Sequence, residues 1–203
     1  MAVELTITAP PVHALAAPEW PPQGEWTYEA YKRLPDDGWK YEVIEGELLM
    51  APAPEPAHQE SGMNLKNPMW NFVHARDLGK VYDSPIDVTL PGLASPVQPD
   101  ILFIARDRLH IVKKNAIEGA PDLVVEILSP SNWNIDRQTK FRVYALAGVR
   151  EYWIVDPKAR TIEVYVLRGR SYELLGKYEV GETASSEVLV GFEVKVEEVC
   201  PEE

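Results

Sequence analysis

The sequence predicts an α/β domain, a mixed β-sheet flanked by helices and extended by extra hairpins. Three observations predict it. The middle of the chain alternates runs rich in Val, Ile, Leu and Phe with helix-period segments at 58–75 and 135–147. Two glycine-centred turns, Glu45-Gly46 and Arg168-Gly169-Arg170, each lie between strand-like runs. The apolar fraction is 45% and the charged fraction 26% over 203 residues, enough to bury a sizeable core.

The elements follow in chain order. Five prolines in the first 25 residues (Pro10, Pro11, Pro18, Pro21, Pro22) mark an N-terminal arm, with a single domain over 26–203. Thr27 is placed to cap a short helix through Leu34, which Pro35-Asp36-Asp37-Gly38 ends. Lys40–Glu45 and Glu47–Met50 form a hairpin, and Ala51–Pro56 a loop. From His58 to Ala75 a helix carries Met63, Leu65, Met69, Trp70, Phe72 and Val73 on a broad apolar face, and Pro68 should kink or shorten it. Strands are expected at Val81–Leu90, Asp100–Ala105 and Leu123–Leu128. A helix over Ile135–Ala147, stopped by Gly148, precedes a short strand at Tyr152–Val155. A second hairpin spans Thr161–Leu167 and Ser171–Tyr178, and a last strand runs over Phe192–Val199.

Composition narrows the class. One cysteine, Cys200, excludes an intrachain disulfide and a multi-cysteine zinc site. No apolar run approaches the roughly 20 residues of a membrane-spanning helix. The N-terminus lacks the basic start and unbroken apolar stretch of a secretory signal, so a cytoplasmic protein without a membrane partner is expected. The net charge of −12 is uneven. Residues 171–203 hold nine Glu and two Lys, a net of −7, which leaves −5 on the first 170. The acidic C-terminal segment therefore dominates the average, and basic residues still cluster at 106–114 and 137–142, as solvated faces or a local positive surface.

Glu126 is the most informative residue. It interrupts Asp122-Leu123-Val124-Val125-Glu126-Ile127-Leu128, a strand apolar enough to be buried on both faces. A carboxylate there costs several kcal/mol unless it is paired, protonated or bound to a metal. It is either a buried ion pair or a functional acid. Asp100 follows Gln98-Pro99 and opens the preceding strand, as a turn residue or as the partner of Glu126. Two such acids together suit Mg²⁺ (or Mn²⁺), which takes oxygen ligands and keeps several waters. Asp136, Lys140 and Tyr144 recur every four residues, so one helix face presents Lys140, to solvent or to Glu126. Glu42, inside a strand, and His58, at a helix start, are weaker candidates. Glu45 and Glu47 flank a turn and read as solvated, Asp156 as a turn residue, and Tyr152 and Trp153 as core or dimer interface.

Several of these segments arrive together in order. Tyr41-Glu-Val-Ile-Glu-Gly-Glu-Leu48, His58, Gln98-Pro-Asp100, Gly119-Ala-Pro-Asp-Leu-Val-Val-Glu-Ile-Leu-Ser-Pro-Ser131, Asp136 with Lys140 and Tyr144, and Gly148-Val-Arg-Glu-Tyr-Trp-Ile-Val-Asp-Pro157 resemble the Uma2 family, also called DUF820. The resemblance runs from about Thr27 to about Leu167. It implies a restriction-endonuclease-like fold within the PD-(D/E)XK superfamily, with Asp100 and Glu126 as the two acids. That signature places a lysine two residues after the second acid, where this chain has Leu128, and the resemblance implies its replacement by Lys140 from the following helix.

The expected function is metal-dependent hydrolysis of phosphodiester bonds in DNA. Asp100 and Glu126 would hold Mg²⁺ (or Mn²⁺), and Lys140 would orient the attacking water or steady charge on the phosphate. Two rivals stand beside it: a noncatalytic binding or assembly module on the same fold, and a hydrolase using the same acids on another substrate. The strand signals and aromatics also permit a homodimer.

Overall fold

The structure, a computed structural model, describes residues 19–129 and 133–202. Most of the proline-rich arm, residues 130–132 and residue 203 lie outside these residues. The described part of the arm rests on the first hairpin, where Gln23 both donates to the Leu48 carbonyl and accepts from its N–H.

Thr27 caps α1 (Tyr28–Tyr31), its Oγ1 accepting from Ala30 N at 3.3 Å. The helix stops before Leu34 because only Ala30 is buried, too little packing to propagate a helix of this length. β1 (Lys40–Ile44) and β2 (Glu47–Ala51) form the expected hairpin. Glu45 and Gly46 take positive φ angles of 52° and 80°, and a Cβ at Gly46 would collide with the Gly24 carbonyl.

α2 (Pro56–Ala75) runs through Pro68 without interruption. Burial of Leu65, Met69 and Val73 against the sheet outweighs the hydrogen bond that proline removes. Its apolar face is narrower than expected, since Met63 and Trp70 are exposed. The segment expected as one strand over Val81–Leu90 divides into β3 (Gly79–Asp83) and β4 (Val88–Leu90), which enter different sheets. Pro85 lies between them, and proline cannot continue a ladder. β5 (Ala94–Val97) was not expected. β6 (Ile101–Ala105) leads into a 3₁₀ turn over Arg106–Ile111.

β7 (Ile117–Glu118) is short, and β8 (Leu123–Ile127) is buried throughout. The expected helix over 135–147 has two parts, a π-helical turn over Ile135–Lys140 and α3 (Phe141–Ala147), capped by Gly148 in the left-handed region. β9 (Glu151–Asp156) follows, then the second hairpin, β10 (Thr161–Arg168) with β11 (Ser171–Tyr178). β12 (Thr183–Ser185) pairs with β13 (Glu193–Lys195). The strand expected to Val199 ends early, because Val196–Val199 turn into α4 and bury Val196 and Val199.

One sheet is mixed, in the order β11-β10-β9-β8-β6-β3, with β8 and β9 parallel. A second has the order β2-β1-β5-β4-β7. Strand β8 shows how they stack. Leu123, Val125 and Ile127 face a core shared with α2 and the C-terminal elements, whereas Val124 and Leu128 face a core shared with the second sheet and α3. Glu126 belongs to that second face.

Candidate functional site

β6 and β8 run antiparallel with Ile101 opposite Val125, so one step further Asp100 comes opposite Glu126. The Ile127 N–H donates to Asp100 Oδ2 at 2.8 Å and ties the two strand ends together. Two more elements converge on Asp100. Lys40 Nζ, from the start of β1, stands 3.3 Å from Oδ1, and His58 Nε2, from the first turn of α2, stands 3.2 Å from Oδ2.

Glu126 is 1% exposed. Its Oε1 accepts from Lys140 Nζ at 3.1 Å and from the Tyr144 hydroxyl at 2.7 Å. Glu42 arrives from the second sheet, and its Oε1 accepts from the Gln98 N–H at 2.7 Å, which braces the turn bearing Asp100. Lys140 joins all of these. Its ammonium lies 3.0 Å from Glu42, 3.1 Å from Glu126 and 3.3 Å from Asp136. Asp136 Oδ1 is buried without a hydrogen bond, so its contact with Lys140 is ionic rather than aligned.

Both the acids and the lysine therefore come to one place. Asp100, Glu126, Asp136, Lys40 and His58 line a cavity of about 860 Å³ between the α1–β1 loop, the start of α2 and the ends of β6 and β8. Trp39 and Met63, both exposed, stand on the same wall. The described basic groups of the wall are Lys40, His58 and Lys66, against Asp36, Glu55, Asp83, Asp100, Glu126 and Asp136.

Other candidates lie elsewhere. Glu45 pairs with Arg142 at the surface, and Glu47 is exposed. Asp156 accepts from the Ala159 N–H as a turn residue, and Tyr152 and Trp153 are buried. Leu128, at the position of the usual lysine, is buried in the second core with Val143 and Tyr144. The basic residues at 137–142 form no free positive face, since Arg137 clasps Glu163 with two hydrogen bonds, Arg142 holds Glu45 and Lys140 is buried.

Four participants were not among the expected site residues: Lys40, Gln98, Asp136 and Tyr144, the last two read only as sharing a helix face with Lys140. The signal for Lys40 was its spacing, because Lys40 and Glu42 share one face of β1. Gln98 carried no separate signal, since its part is played by a backbone N–H and by a side chain that donates to Tyr31 and Asp87.

The electrostatics follow from burial among unlike charges. Burial pushes the Glu126 carboxyl up, to about 8, with Lys140 opposing and Asp136 and Asp100 reinforcing the rise. Burial likewise lifts Asp136 to about 6. Burial would also raise Asp100, but Lys40, His58 and Lys140 outweigh it and hold that carboxyl well below the usual range. Glu42 is lowered too, because Lys140, Lys40 and the Gln98 N–H overcome its burial. Burial disfavours charge on Lys140, yet its three acids raise its pKa well above the ordinary value.

A pH dependence of stability follows. A carboxyl whose native pKa lies above its unfolded value binds more protons when folded, so its contribution to stability falls as pH rises between the two values. For Glu126 that window runs from 4.5 to about 8, and for Asp136 from 3.8 to about 6. Asp100 and Glu42, with lowered values, act oppositely and lose stability as pH falls below the ordinary carboxylate range. Melting temperature without divalent metal is therefore expected to fall from pH 5 to pH 8. Calorimetric scans across that range check it, and a flat or rising profile would contradict the arrangement.

Among the described residues no three His, Cys, Asp or Glu side chains are already arranged to hold an ion. The donors nevertheless suit a hard dication. Mg²⁺ commonly takes only one or two carboxylates plus waters, and Asp100 and Glu126 supply two on the wall of one cavity.

A crystal structure of a "putative nuclease belonging to DUF820" from Anabaena variabilis shares this fold, with a TM-score of 0.71 at 19% identity, over 86% of this chain and 97% of that one. The two proteins share a mixed α/β fold. The sequence matches the Uma2 family, described as "Putative restriction endonuclease", over residues 28–197, and the chain belongs to that family. An uncharacterized protein of Synechocystis sp., sll1609, is 25% identical over 149 residues, 73% of this chain and 83% of its own length. No helix among the described residues is long and apolar enough to cross a membrane.

Proposed function

We propose that the protein is a Mg²⁺- or Mn²⁺-dependent endonuclease that hydrolyses phosphodiester bonds in DNA. One observation carries the reading: Asp100 and Glu126 occupy facing positions on adjacent strands and line one cavity, within a nuclease-like fold. These two acids would hold the ion, which when bound lowers the pKa of a water and stabilises charge on a phosphate. The chain's other groups prepare that site. Tyr144 and Lys140 fix one Glu126 oxygen, the Ile127 N–H and His58 orient Asp100, and Glu42 braces the Gln98-Pro99-Asp100 turn. Lys140 steadies the acids and adds positive potential beside them.

A noncatalytic module on the same fold draws support from the cavity wall, where acids outnumber bases. A duplex carries one charge per about 1.7 Å and is repelled by such a lining. The test combines Mn²⁺ titration calorimetry with cleavage of plasmid and single-stranded DNA. The expected result is saturable Mn²⁺ binding to wild type and DNA cleavage that chelation stops. Mn²⁺ binding without cleavage of any DNA would favour the noncatalytic reading. No binding at all would remove the metal site. The homodimer belongs to the same proposal, with exposed Trp70 and Met63 on α2 as apolar surface for a partner copy, and light scattering measures it.

A further inference from the structure

We infer that Lys40, rather than Lys140, is the cation that touches the substrate phosphate, and that Lys140 is a positioning residue. The inference rests on the proposed phosphodiester hydrolysis and adds to it a catalytic group from β1.

The two lysines differ in access. Lys140 is 1% exposed, encircled by Glu42, Glu126 and Asp136 within 3.3 Å, and lies behind the cavity wall rather than on it. An ammonium has three N–H donors. For Lys140 to meet a phosphate it would have to desert a buried carboxylate, which is strongly unfavourable in a dry surrounding. Lys40 is on the wall, its side chain 22% exposed, and Asp100 is its single polar partner among the described residues. Donors remain for an anionic ligand seated against Asp100.

The strand makes this placement reproducible. Lys40 and Glu42 share a face of β1, and Glu42 is fixed by the Gln98 N–H on the same turn that carries Asp100. The Lys40 stem therefore starts from a backbone held relative to the acid pair. The superfamily signature delivers its lysine along the strand of the second acid, but here that position is the buried Leu128. A neighbouring sheet supplies the positive charge instead.

The test uses the full chain, wild type, Lys40→Gln and Lys40→Arg. Binding of a phosphorothioate single-stranded oligonucleotide in Ca²⁺ is measured over a salt series, alongside single-turnover cleavage in Mg²⁺ and Mn²⁺ titration calorimetry. Lys40→Gln is expected to reduce the slope of log affinity against log salt by about 0.7, the share of one phosphate contact. It should slow cleavage about 10²-fold, the loss typical of one preorganised charge contact. Mn²⁺ affinity should stay within about threefold of wild type, and Lys40→Arg should restore the salt slope.

An unchanged slope and rate in Lys40→Gln would overturn the inference while leaving the endonuclease reading intact. Loss of Mn²⁺ binding in Lys40→Gln would also overturn it, because Lys40 would then act only through Asp100. If wild type neither binds nor cleaves DNA, the endonuclease reading fails and the inference falls with it.

Discussion

Lys140→Met is expected to destabilise the folded protein by about 3–5 kcal/mol, the cost of removing one partner from a buried ion pair. The methionine keeps most of the stem's packing, so the loss measures charge rather than a cavity. Without the ammonium, Glu42, Glu126 and Asp136 stand together as buried side chains with no cation in ion-pair contact. The acids respond by taking up protons, so the deficit should be larger at pH 8 than at pH 5. At roughly 2–4 °C per kcal/mol for a chain of this size, the melting temperature should drop by about 6–20 °C. Urea denaturation at both pH values reads the effect directly. Adding Glu126→Gln to Lys140→Met should return part of the loss, because one of the orphaned acids is then neutral. A deficit below about 1 kcal/mol at pH 8 would mean that the three carboxylates do not depend on Lys140.

Glu126→Gln should produce the largest loss of activity at little cost in stability. The side chain keeps its shape, and its amide oxygen can still accept from Tyr144 and Lys140. Since burial already favours the uncharged form of Glu126, the variant should melt at the wild-type temperature or above it when metal is absent. Its capacity to hold a dication is gone. Single-turnover cleavage should fall by about 10²–10³-fold or more, as for loss of a group acting on developing charge. The rise in melting temperature that Mg²⁺ or Mn²⁺ gives wild type, which reflects preferential binding to the folded state, should largely vanish. Equal stabilisation of wild type and variant by metal would place the ion elsewhere.

Strong local patterns were legible in the sequence. Both hairpins, the strand around Glu126 and the Gly148 helix stop lie where turn chemistry and periodicity put them. The meeting of Asp100 with Glu126 could be anticipated because Asp100 opens the strand that precedes the one Glu126 interrupts. What escaped depended on distant pairing. The division of Val81–Leu90 between two sheets follows from partners elsewhere in the chain, since β3 pairs with β6 whereas β4 pairs with β5 and β7. Met63 and Trp70 have the spacing of a buried face, yet they fall outside the stripe that α2 presents to the sheet. Lys40 meets Asp100 only because the second sheet packs its first strand against the ends of β6 and β8.

The π-helical turn over Ile135–Lys140 makes the site sensitive to chain length as well as to residue identity. Such a turn holds one residue more than an α-helical turn, so the spacing of the side chains it carries depends on the number of residues in it. Asp136 and Lys140 bracket most of this turn, while Lys140 and Tyr144 both reach Glu126 from its far side. Losing a single residue among Arg137, Gln138 and Thr139 would let the segment settle into a regular α-helix. The Asp136–Lys140 contact would then become an i,i+3 pair, which keeps the two side chains neighbours but resets their approach, with every charged side chain of the cluster still present.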